Sequence, residues 1–229
     1  MRGVWLALAW AALAMPVRGE GGAAAGPVFQ VDYSNPGLSP PHWVLTLYPD
    51  GSGHFKSEQG RVAGGAAQGA GQGVWQGIEA PNVDRDVRVS AEFAERVFET
   101  ARQQKFFSAG CESHMKVAFQ GWKKLSYSGA DGAGGCEFNY SKDKEIQALG
   151  DSLVAVASAI LEGARLENLL QHDRLGLDQE MEYLVEAAGD GRVQQICTIR
   201  GILERLAEDP EVMERVRKRA RTLLARGEG

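Results

Sequence analysis

Hydrophobic and polar positions alternate with period two from Trp43 to Tyr48. Trp43, Leu45 and Leu47 fall on one side, and Val44, Thr46 and Tyr48 on the other. Pro49-Asp50-Gly51-Ser52-Gly53 supplies turn chemistry, and His54-Phe55-Lys56 returns, so the pattern predicts a β-hairpin. A short strand is expected before it over Val28 to Tyr33, and another after it over Val74 to Ile78. Farther along, Val117, Phe119, Leu125 and Tyr127 share one strand phase. Ser128 to Gly135, with Asp131-Gly132 and four glycines, reads as a hairpin loop, after which Cys136, Phe138 and Tyr140 return in strand phase.

The period changes to helical elsewhere. Ser90 offers an N-cap, and Phe93, Ala94, Val97, Phe98 and Ala101 recur at helical spacing to about Gln104, with Phe106-Phe107 packing as the chain leaves. A long helix starts near Ser141 or Asp143, with Ile146, Leu149, Leu153, Val156, Ala157, Ile160, Leu161 and Ala164 on its face. Beyond Leu166 no strand signal remains. Leu175-Gly176 is a break, Asp178 a cap for a helix carrying Met181, Leu184, Val185 and Ala188, and Gly189-Asp190-Gly191 a turn. Ile196, Ile199, Leu203 and Leu206 mark another helix. Asp209-Pro210 reads as cap plus first-position proline for a last one, faced by Val212, Val216, Ala220, Leu223 and Leu224 and capped by Gly227. The fold class expected is α+β: a small antiparallel sheet of hairpins packed with two helices over 28–165, followed by an antiparallel helical tail over 166–227. Short helices are marginal alone, so the tail needs a partner, either the sheet or a second copy of the chain through a homo-oligomer.

The first residues carry a different signal. Met1-Arg2 is positive, Val4 to Met15 is apolar, and Pro16 and small residues follow. That layout implies a signal peptide over 1–19, with cleavage as late as 25. The run is too short for a membrane span, no later run is expected to cross a bilayer, and no nearby cysteine would carry a lipid. Export to the periplasm or medium is the expected localisation.

Composition narrows the function. With 25 Lys+Arg, 30 Asp+Glu and a net charge of -5, the 229-residue chain is no general nucleic-acid binder. Glycine, at 29 residues, is concentrated in Gly60 to Gly73, which carries neither phosphate-loop nor dinucleotide motif and reads as a loop. Acidic residues from Asp173 to Asp190 and basic ones from Arg215 to Arg221 are segregated in the tail. A membrane-surface or nucleic-acid patch is one reading; the favoured one is that the basic residues suit the helix dipole, with the acidic helix nearby to balance them. Of three cysteines, Cys111 and Cys136 flank strand-rich sequence, while Cys197 lies between isoleucines and reads as a buried free thiol. A Cys111–Cys136 disulfide is therefore expected in an oxidising compartment. Cys111-Glu112-Ser113-His114 has metal-like spacing, with Cys136 as a third ligand, but a fourth is missing, so no metal and no cofactor are expected. Four histidines fit no protease pattern, no G-x-S-x-G elbow occurs, and no catalytic residue is assigned. Asn139-Tyr140-Ser141 is a chance sequon on a strand.

The stretch Trp43-Val44-Leu45-Thr46-Leu47-Tyr48-Pro49-Asp50-Gly51-Ser52-Gly53, followed by a capped helix ending in Phe106-Phe107, resembles an uncharacterised family of exported bacterial proteins. Its members begin with a T-L-Y-x-D-G hairpin and close their first helix with paired aromatics. The resemblance spans about 28–170 and implies the fold and export, with no activity attached.

On the strand after Gly121, Leu125 and Tyr127 take the core phase, which places Trp122 and Lys124 on the opposite, wet face. Trp122 and Lys124, with Lys123 beside them, form the candidate binding site, unless a bulge at Gly121 or the helical tail covers the indole. The expected function is an exported, non-enzymatic binding domain for a protein or other envelope component. The alternative is an envelope hydrolase whose site is assembled from distant residues.

Overall fold

A computed structural model describes residues 26–58 and 82–227. The signal peptide expected over 1–19, the loop expected over 60–73 and the strand expected over 74–78 lie outside them. The α+β architecture is as the pattern indicates. Six antiparallel strands, β1 (Val28–Ser34), β2 (His42–Leu47), β3 (Ser52–Glu58), β4 (Asp84–Arg88), β5 (Trp122–Gly129) and β6 (Gly132–Phe138), form one sheet in the order β4-β3-β2-β1-β5-β6. Helix α1 (Ala91–Gln103) follows β4, and α2 (Lys144–His172), α3 (Leu177–Gly189), α4 (Arg200–Glu208) and α5 (Glu214–Arg226) follow β6.

Period-two alternation decides which face of the sheet is dry. Phe29, Val31, Tyr33, Trp43, Leu45, Leu47, Phe55, Leu125, Tyr127 and Phe138 point to one side and are buried. Against them lie Phe93, Val97 and Phe98 of α1 and Ile146 to Ile160 of α2. The Ser90 hydroxyl caps α1 by accepting from the Phe93 N–H at 3.2 Å. Asp143 caps α2, accepting from the Glu145 and Ile146 N–H groups. A second core joins the last third of α2 to α3, α4 and α5 through Leu166, Leu169, Leu177, Met181, Leu184, Leu203, Leu206, Val216 and Leu223. The boundary expected at 165/166 falls inside α2, a continuous helix of 29 residues. By length and composition α2 could cross a membrane, which the sequence reading did not anticipate. Its apolarity follows from serving two cores, one on each part of its length.

The tail is held to the sheet by specific bonds. Arg85 makes a two-pronged contact with Glu167 at 2.7 and 3.1 Å, and the Ser90 N–H donates to Gln195 Oε1 at 2.8 Å. The acidic and basic tail helices neutralise each other, with Asp178 taking Arg215 and Arg219, both at 2.6 Å.

Several local expectations are corrected. Gly132 and Gly134 are strand, not loop. An added Cβ would sit 2.1 Å from the Phe106 ring at Gly132, and 2.3 Å from the Phe106 carbonyl oxygen at Gly134. These glycines let Phe106 lie flat on the strand, where it stacks on Tyr127 at 4.9 Å. Tyr140 lies beyond the end of β6. Asp209-Pro210 ends α4 instead of starting α5: the Asp209 carboxylate accepts from the Glu211 N–H, and α5 begins only at Glu214. Asp178 sits inside α3, whose cap is Gly176. Cys197 is half-buried in a 3₁₀ turn over Ile196–Ile199.

Candidate functional site

The other face of the sheet carries no buried residue. Cross-strand register lines up Asp84, Lys56, Val44, Asp32, Lys124 and Glu137 in one row across all six strands. Along this row the charges alternate in sign apart from Val44, so each acid or base has an opposite neighbour. His42 reaches Asp32 at 2.9 Å, and His54 reaches Asp86 at 2.9 Å and Asp84 at 3.0 Å. The hydrogen bond that the Asp86 carboxylate accepts raises the His54 pKa above its ordinary value. The two pairs use different carboxylates on different strands. His114 lies on a loop and His172 in the last turn of α2.

At one end of this face the chain departs from strand geometry. Val117 and Phe119, expected in the core phase of β5, are exposed. The reason is Gly121, at φ +104°. A Cβ there would come within 2.4 Å of the Tyr33 ring, so only glycine passes, and the turn uncouples the residues before it from the alternation after it. Residues 114–120 are exposed without interruption, and Met115 and Phe119 keep 52% and 50% of their surface in water. Trp122 begins β5 on the open face with 40% exposure, its ring 6.1 Å from that of Phe119 at a steep angle. Lys124, two residues on, is exposed on the same face. The phase expected for Trp122 and Lys124 is the one observed, and neither a Gly121 bulge nor the helical tail covers the indole.

Lys123 corrects the sequence reading, which set it beside Trp122 on the surface. It follows Leu125 and Tyr127 inward and is 2% exposed. Its ammonium donates to the Asn139 carbonyl at 3.3 Å, stands 3.8 Å from Asp151 and lies over the Phe138 ring. Burial lowers its pKa, and Asp151 and Glu112 oppose that shift.

The exposed loop is pinned at both ends. Cys111 and Cys136 form the disulfide the sequence implied, tying the loop's root to β6. This bond also consumes both thiols that a metal at Cys111-x-x-His114 would have required. Next to it, the Glu112 carboxylate accepts from the Asn139 N–H at 2.7 Å and the His114 N–H at 2.9 Å. Partial burial raises the Glu112 pKa, but these N–H groups and the Ser113 hydroxyl outweigh it and hold the carboxyl below its ordinary value. At the far end Asn139 clamps the return: its Oδ1 accepts from the Gln120 N–H at 2.6 Å and its Nδ2 donates to the Ala118 carbonyl at 3.3 Å. The Tyr33 hydroxyl donates to the Gln120 carbonyl at 2.7 Å. Glu112 and Asn139 were missed as site residues, because only their fold-dependent meeting gives them a role. The Asn139 amide, read as a chance sequon, serves as this clamp.

Asn139→Ala should hand the exposed Gln120 N–H and Ala118 carbonyl to water, at a cost of about 1 kcal/mol. The expected readout is faster amide exchange at Gln120 and proteolytic nicking between Met115 and Phe119, with the sheet amides unchanged. Unaltered exchange at Gln120 would contradict the clamp.

Two other places bear on chemistry. A shallow depression of about 780 Å³ lies between β3, β4 and the 3₁₀ turn, lined by Tyr48, Ser52, His54, Asp86, Arg88 and Cys197 among others. Burial raises the Cys197 pKa, so its thiol stays protonated at neutral pH and is a poor nucleophile. Between α2 and α3, Glu162 and Glu180 are buried with Arg165 at 3.4 and 3.6 Å. Burial, and then the Glu180 carboxylate, push the Glu162 pKa up to about 9 against the pull of Arg165. One proton between the two carboxyls also supplies what Glu162 Oε2 and Glu180 Oε1 otherwise lack. Compared with models of known protein families and with curated protein sequences, the chain matches none.

Proposed function

We propose that the chain is an exported binding domain of the cell envelope, with its contact surface formed by the loop His114 to Gln120 together with Trp122 and Lys124. The observation that carries this reading is a loop that exposes Met115, Val117 and Phe119 beside Trp122 while both its ends are locked. Large apolar side chains left in water cost free energy unless a partner covers them, and a fixed loop loses little entropy on binding. Tryptophan and phenylalanine side by side are the residue types that dominate contact energetics. A disulfide is compatible with an oxidising, exported location. The apolar faces of the helical tail are covered within the chain, so the loop is a stronger candidate for contact than the tail.

Trp122→Ala tests it. The indole projects from the open face, so the variant should melt within a few degrees of wild type while losing about tenfold in affinity for its envelope target. Loss of folding, or undiminished capture from an envelope fraction, would remove Trp122 from the site.

A further inference from the structure

We infer that this loop docks on an anionic phospholipid surface. The inference rests on the reading of the loop as the contact surface and names what it contacts. Shape is the first reason. The exposed apolar residues Met115, Val117 and Phe119 stand on seven consecutive exposed positions, 114–120. A short run that exposes its apolar side chains at one end of the sheet is a tip that a bilayer interface can accept directly.

Composition is the second reason. From Ser113 to Ala130 the sequence contains no carboxylate and carries His114, Lys116, Lys123 and Lys124, in a chain whose net charge is -5. The acid at the loop's root, Glu112, is occupied by backbone N–H groups. Lys123 is buried, which leaves Lys116 and Lys124 as the exposed ammonium groups and His114 as a third donor. Lys124 has Asp32 and Glu137 across the strands, and Asp32 is held by His42. Exposed Met, Val, Phe and Trp interleaved with lysine is the side-chain set that settles at a headgroup boundary, apolar parts among the acyl chains and ammonium groups at the phosphates. Leu38, also exposed, lies on the β1–β2 loop at the same end of the sheet and extends the apolar rim.

Flotation with vesicles decides the matter. Vesicles of phosphatidylglycerol mixed with phosphatidylcholine are compared with vesicles of phosphatidylcholine alone, using full chains that share one N-terminus so that differences report the loop. Wild type should partition about tenfold more strongly onto the anionic vesicles, and added salt should erase most of the preference. Phe119→Ser/Trp122→Ser should lose about tenfold in partition on the anionic vesicles, and Lys116→Glu/Lys124→Glu should lose the preference for them, both with unchanged melting temperatures. Leu175→Ser, which removes a residue 82% exposed at the α2–α3 turn, should bind as wild type. Equal binding to both vesicle types, or undiminished binding by both double variants, overturns the lipid assignment. If vesicles are ignored but Phe119→Ser/Trp122→Ser loses capture of an envelope protein, the lipid assignment falls and the loop remains the contact surface. If that variant changes neither, both fall.

Discussion

Replacing Cys111 and Cys136 together by serine should lower the unfolding free energy by roughly 3.5 kcal/mol, the loop-closure entropy of a crosslink spanning 25 residues. The crosslink restrains the unfolded chain over 111–136, which includes the whole exposed loop and all of β5. It also fixes the loop in the folded state, since Cys111 is the buried residue from which the loop departs. The double variant should therefore lose stability in urea and also show increased exchange over 112–120. Reduction of the wild-type protein should reproduce both effects. An unchanged unfolding midpoint would mean that the bond contributes nothing, and the loop would then owe its shape to Glu112, Asn139 and Tyr33.

Glu162→Gln should stabilise the protein at neutral and alkaline pH. The folded-state pKa of Glu162 is about 9, against an ordinary value of 4.5. Between these values the folded state keeps a proton that the unfolded state has released, so stability falls as pH rises through this window. The accumulated cost at pH 7 is on the order of 3 kcal/mol. Glutamine keeps a donor toward Glu180 and does not titrate. The gap between variant and wild type should thus be small at pH 4, grow through pH 8, and level off above the folded-state value. Urea unfolding at several pH values measures it, and parallel profiles for the two proteins would contradict a protonated Glu162.

Much of the fold could be read from periodicity because most of its strands have one dry face. The alternation at Trp43, Leu45 and Leu47 translates directly into burial. The same logic placed Trp122 and Lys124 outside, since Leu125 and Tyr127 fixed the phase of β5. It equally placed Lys123 inside, but a lysine in a core phase is easily read as surface until Phe138, Asn139 and Asp151 are seen around it. β4 went unread because Asp84-Arg85-Asp86-Val87-Arg88 is an edge strand with one buried side chain, too little for alternation to register. The glycines of β6 suggested a loop, and what makes them strand is Phe106, a contact from a distant part of the chain. The candidate site was half legible for the same reason. Trp122 followed from phase, but Met115, Val117 and Phe119 look like core residues until Gly121 is seen folded against Tyr33. The clamp by Glu112 and Asn139 leaves no local pattern at all.

Residues 114–122 are the proposed meeting point of this chain with its target. The most direct measurement is photo-crosslinking in the producing cell, with a photoreactive amino acid in place of Phe119 and, as reference, in place of Leu175 on the remote α2–α3 turn. A discrete adduct is expected from position 119, of lipid or protein mass, that is absent from position 175 and lost when Trp122→Ala is added. Adducts of equal yield from both positions, or none from position 119, would contradict it.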